Sequence, residues 1–148
     1  MRLRFPQGAK SDEHGGTLVE FSMVAFLFVI VLLGVVEMAR MVLVYTALND
    51  AARAGVRYAI VHGSDSSAAV AACSPCTDGL ATTVQNFAST GLVHGSNVTT
   101  VLTLPDSATK PGSRVDVKVS YTYDPLISWF SSKLNVSMGA TSEGVIVF

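Results

Sequence analysis

Sixteen consecutive residues without a charge, Phe21 to Val36, broken only by Ser22 and Gly34, constrain this chain more than any other feature. Thr17 to Val19 extend the apolar character on the N-terminal side, so the run approaches the roughly 20 residues needed to cross a bilayer. The helical pattern does not end with the run, because Glu37 to Val61 contains no proline and only one glycine, Gly55. One helix from Thr17 to about Val61 is therefore expected, roughly 65 Å long at 1.5 Å per residue. A bilayer core of about 30 Å covers less than half of that, so the second half must pack on protein.

Its faces suggest how. Ala47, Ala51, Gly55 and Ala59 recur every four residues and form a small-residue ridge that permits close backbone approach. Glu37 with Arg40 and Asp50 with Arg53 sit three residues apart, and Arg53 with Arg57 four, on the polar side, where pairs of opposite charge are worth only a few tenths of a kcal/mol. His62 to Ser66 break the helix, and Ser67 to Ala72 are read as the start of another helical turn. Asp78 to Leu92 then carries Leu80, Val84, Phe87 and Ala88 at near-helical spacing, which predicts a short amphipathic second helix. In Arg114 to Tyr123 the period changes to two: Val115, Val117, Val119, Tyr121 and Tyr123 alternate with polar residues, the mark of a strand with one buried face. Val98 to Leu104 precedes it across a loop at 105 to 112, and a further alternating segment runs from Val136 through Ala140 and Ser142 towards Val147. The expected fold is α+β, a long N-terminal helix continuing into a domain with a short second helix and an antiparallel sheet of about three strands.

Arg2, Arg4 and Lys10 precede the apolar run, which by the positive-inside rule keeps the N-terminus cytoplasmic and sends the rest outward. A cleaved secretory signal is the competing reading, but Glu37-Met38-Ala39 is a poor small-x-small cleavage site. The 148-residue chain is 49% hydrophobic and 14% charged with a formal charge of −1, and no basic cluster is present to neutralise phosphates, which argues against a nucleic-acid partner.

Glu20 lies at the mouth of the apolar run, where a plain anchor needs no acid. A charge near hydrocarbon tends to find a partner. If the chain is cut between Gly15 and Gly16, the new amine lies one helical turn from Glu20, and both that amine and the helix N-terminus favour a carboxylate there. The segment Gly15 to Phe21, GGTLVEF, with its charged leader resembles the class III signal sequence of pilins and pseudopilins. Together with Gly34 to Ala59, GVVEMARMVLVYTALNDAARAGVRYA, it resembles the TadE-like family of Flp (tight adherence, Tad) pseudopilins, and Val115 to Ile127 is similar to the C-terminal part of that family. The resemblance implies a pilin-like fold and cleavage by a prepilin peptidase with Gly15 before the cut and Gly16 as new terminus. It further implies retention in a bacterial inner membrane with the C-terminal domain periplasmic. Glu20 and Phe21 would serve in assembly and helix packing, with other pilins or pseudopilins and inner-membrane assembly components as partners. Flp major pilins are very short, so a chain of this size falls with the minor pseudopilins. The implied division is a leader at 1–15, the long helix at 16–61 and an outer domain at 62–148.

Cys73 and Cys76, in Cys-Ser-Pro-Cys, invite a redox reading, but such sites sit at a strand-to-helix junction of a βαβ unit, and Ala68 to Ala72 does not read as a strand. A structural disulfide in an oxidising compartment is the better account. Zinc would need further ligands, and His62 and His94 are the only histidines beyond the leader, at scattered spacing. No nucleophile elbow, P-loop, HExxH or paired-carboxylate motif appears, so no enzyme activity, metal or cofactor is expected. Trp129 and Phe130 are read as core residues in preference to a contact patch, and two Asn-x-Ser/Thr sequons, at Asn97 and Asn135, as chance. An unprocessed membrane-anchored binding or adhesive domain is the second hypothesis, and an anchored thiol oxidoreductase the third.

Overall fold

The computed structural model describes residues 13–64, 66–67, 69–90, 93, 97–125 and 136–147. Helix α1 runs from Glu13 to Val61 and α2 from Gly79 to Ser89; strands β1 (Val98–Thr103), β2 (Arg114–Tyr123) and β3 (Val136–Val145) follow. Contacts divide the chain into two units, Met1–Val36 and Glu37–Phe148. In the first, the described part of α1 is helical throughout, and its large apolar side chains from Leu18 to Val36 are 47% to 71% exposed apart from Met23 at 74%. That is the state of a helix whose partner is lipid or another chain. The helix is long and apolar enough to serve as a membrane anchor.

The second unit has two layers. The sheet is antiparallel in the order β1-β2-β3, with Val117 of β2 opposite Leu102 on one side and Ser142 on the other. Val115, Val117, Val119, Tyr121 and Tyr123 all face inward, as the alternation requires. Against them lies the small-residue face of α1: Ala51 and Ala59 are fully buried, Ala47 nearly so. At Gly55 an added Cβ would come within 3.0 Å of the Val117 side chain and 2.9 Å of Val84 of α2, so close approach, not turn formation, requires glycine there. Leu80, Ala81, Val84 and Ala88 form the buried stripe of α2.

Three expectations need correction. Phe87 is half exposed, because the stripe of α2 turns through Ala81 and leaves Phe87 at its margin. Residues 69–72 are not helical; Val70 instead donates its backbone N–H to the His62 carbonyl at 2.9 Å, folding the segment back onto the end of α1. The first helix begins at Glu13, ahead of Thr17. Trp129, Phe130, His94 and most of the leader lie outside the described residues.

Among the described residues, Thr100 is buried in the core at 2% exposure and its Oγ1 has no hydrogen-bond partner. An orphaned hydroxyl costs about 1 to 3 kcal/mol, and replacing it by an isosteric methyl removes that cost. Thr100→Val is therefore expected to stabilise the C-terminal unit by about 1 kcal/mol, read as a rise in denaturant midpoint; a fall would mean the hydroxyl is satisfied.

Candidate processing and assembly site

Gly15, Gly16, Glu20 and Phe21 lie within the first three turns of α1. A Cβ added at Gly15 or Gly16 would meet nothing within 4 Å, so no packing among the described residues demands glycine at either position. Glu20 is exposed, and Phe21 is 71% exposed. All four are exposed on α1.

The Cys73–Cys76 pair forms a disulfide closing a four-residue loop, with a cis Ser74–Pro75 peptide inside it. Its backbone completes the sheet: Cys73 exchanges hydrogen bonds with Leu102 at 3.1 and 3.0 Å, and the Cys76 N–H donates to the Thr100 carbonyl at 2.8 Å. The loop thus covers the edge of β1, which would otherwise offer unpaired backbone groups to another strand. Among the described residues the sheet is antiparallel throughout, so the pair is not set in a βαβ unit there. Among the described residues, no group of three or more His, Cys, Asp or Glu side chains is arranged to hold a metal ion.

A cluster that pattern reading did not join lies at the start of the C-terminal unit. Glu37 is the first charge after the apolar run. Its Oε1 accepts the Tyr123 hydroxyl at 2.7 Å, and its Oε2 accepts Arg40 Nη1 at 3.4 Å. The Arg40 guanidinium also lies 5.6 Å from the centroid of the Tyr123 ring, within cation–π range. Tyr123 is 1% exposed, and burial, followed by the hydrogen bond to Glu37, pushes its phenol up to about 12. The available signals were that Glu37 ends the uncharged run and Tyr123 ends the inward alternation of β2; neither states that the two meet across 86 residues.

At the opposite end of the sheet, Asp106 closes the β1–β2 loop. It accepts the Arg114 backbone N–H at 2.9 Å and Nη2 at 3.1 Å, and these bonds to Arg114 hold its carboxyl below the usual range. On the far side of α1, Asp50, Arg53, Arg57, Tyr58, His62 and Phe87 border a cleft of about 600 Å³, in which the Tyr58 and His62 rings stack at 3.9 Å.

No curated protein and no solved structure matches the chain significantly. Residues 15–57, which begin at the exposed glycine pair and take in Glu20, the apolar run, Glu37 and most of the buried helix face, match the family model described as TadE-like protein, and this establishes the TadE-like resemblance over that segment.

Proposed function

We propose that this chain is a minor pseudopilin of the TadE-like type, taking part in assembly of a Flp/Tad-type pilus used for adherence. A prepilin peptidase cuts it between Gly15 and Gly16, and the chain is held in a bacterial inner membrane with its C-terminal domain in the periplasm. The observation that carries this reading is the family match beginning at Gly15, joined to two glycines that no packing among the described residues requires. Glycine at both positions suits a peptidase that must open the first helical turn, since each glycine is about 1 kcal/mol less favourable in a helix than alanine. Once cut, Gly16 carries a free amine one turn from Glu20, and a neighbouring helix presenting the same pair would give the carboxylate a partner outside water. The positive leader supports the N-in orientation, and a disulfide fits an oxidising compartment beyond the membrane. The role is interaction without catalysis.

The test is the N-terminal sequence and intact mass of the protein expressed with and without a cognate peptidase. A terminus at Gly16 seen only with active peptidase, and lost in Gly15→Leu, is the expected result; Glu20→Ala should still be cut and inserted but should not support piliation. An intact chain beside a peptidase that cuts its other substrates would favour the unprocessed anchored domain instead.

A further inference from the structure

The two faces of the C-terminal unit carry matched charge pairs that a single copy cannot bring together. On the open face of the sheet, Asp116 of β2 stands directly opposite Glu143 of β3. Like charges in register across two strands are destabilising, and neither carboxylate forms an ion pair among the described residues. Lys118, on the same face, does not pair with them, and the guanidinium of Arg114, which both carboxylates attract, hydrogen-bonds to Asp106 instead. On the opposite side of the unit, the exposed face of α1 carries Arg53 and Arg57. Arg53 reaches Asp50 only at 3.9 Å, with both side chains about 70% exposed (71% and 69%), a pair worth little. Arg57 has no ion-pair partner among the described residues.

We infer that the Arg53/Arg57 face of one copy docks on the Asp116/Glu143 face of a second copy. The spacings agree: residues four apart on a helix have Cβ atoms roughly 5 to 6 Å apart, and facing residues on antiparallel strands have them about 4.5 to 5.5 Å apart, so two arginines can meet two carboxylates at once. Each charged pair has an exposed apolar neighbour, Phe87 (50% exposed) beside the arginines along the cleft and Val145 (48% exposed) beside the carboxylates. Because α1 packs on the inner face of the sheet, the two patches lie on opposite sides of the same unit. The contact is therefore heterologous, leaving each docked pair with one free patch of each sign, and it propagates as a row of copies without closing as a two-fold dimer. It depends neither on cleavage at Gly15 nor on Glu20.

The experiment uses full-length protein in detergent micelles, with association followed by sedimentation and chemical cross-linking at low and high salt. Wild type should form a concentration-dependent ladder that shortens at high salt. Arg53→Glu/Arg57→Glu alone, and Asp116→Lys/Glu143→Lys alone, should each weaken association at least about tenfold, as expected for losing close charge pairs across an interface. Mixing these two double variants should restore the ladder, since every junction then joins unlike charges, and the fourfold swap in one chain should restore it as well. All variants keep the same apolar helix, so association through that helix forms a common baseline, and circular dichroism checks that each is folded. A wild-type ladder insensitive to salt, double variants that associate like wild type, or a mixture no better than either variant alone would each overturn the inference.

Discussion

Replacing Gly144 by leucine is expected to cost the C-terminal unit about 3 kcal/mol or more, at the upper end of what inserting atoms into a packed core does. Gly144 lies on the inner face of β3 opposite Val115. A Cβ there would come within 2.5 Å of Val56 Cγ1 and 2.9 Å of Ile60 Cδ1, so the strand passes directly over two successive turns of α1. Val56 is branched at Cβ and stiff at χ1, and it is 5% exposed, so it cannot swing aside. Relief must come from moving β3 or α1, each of which is tied to the rest of the core. A loss of this size would lower the thermal midpoint by roughly 12 to 24 °C, at 4 to 8 °C per kcal/mol for a domain near this size. Gly144→Ala should show a smaller fall in the same direction. Gly34→Leu is the control, since a Cβ at Gly34 meets nothing within 4 Å; a midpoint for Gly144→Leu equal to that of the control would show that the helix does not press on β3.

Gly144 also illustrates what the sequence conceals. The alternation of β2 is visible because apolar and polar residues trade places for ten positions, and the ridge of α1 is visible because alanine and glycine recur at one helical interval. In β3 the inward positions beyond Ala140 are Ser142 and Gly144, so burial there follows from register and not from side-chain type. Phe87 misled in the opposite sense: an aromatic at helical spacing reads as core, yet the buried side of α2 is filled by Ala81 and Ala88, and Phe87 is displaced to the cleft. The Cys-Ser-Pro-Cys segment could be recognised as a disulfide candidate, but its role as the cover of the β1 edge rests on backbone hydrogen bonds, which leave no trace in side-chain patterning. For Gly15, Gly16, Glu20 and Phe21 the balance is reversed. They stand out as a motif beside an apolar run, while an added Cβ at either glycine would meet nothing among the described residues and Glu20 and Phe21 are exposed.

Tyr123→Phe should expose how much the C-terminal unit depends on the contact at the start of its helix. The Glu37 side chain is 13% exposed and Arg40 25%, so Glu37 is poorly placed to replace the phenol with water. Removing a donor from a carboxylate in such a setting costs about 1.5 to 3 kcal/mol. Glu37→Ala should cost a comparable amount by stranding the buried hydroxyl, and the double variant should cost less than the sum, because both single changes remove the same hydrogen bond. The pH dependence has a definite sign. A phenol pushed from 10 up to about 12 in the folded protein holds its proton more tightly folded than unfolded. The stability linked to this shift is therefore fully present below pH 10 and is lost as pH rises through about 12. In wild type, alkaline titration of the ultraviolet phenolate band should include a component near 12 that is absent from Tyr123→Phe and moved downward in Glu37→Ala, since the hydrogen bond to Glu37 is one of the causes of the shift. If Glu37→Ala left both the alkaline limb of stability and the phenolate titration unchanged, the hydroxyl would not be held by Glu37. The end of β2 would then be fixed to α1 by apolar packing alone.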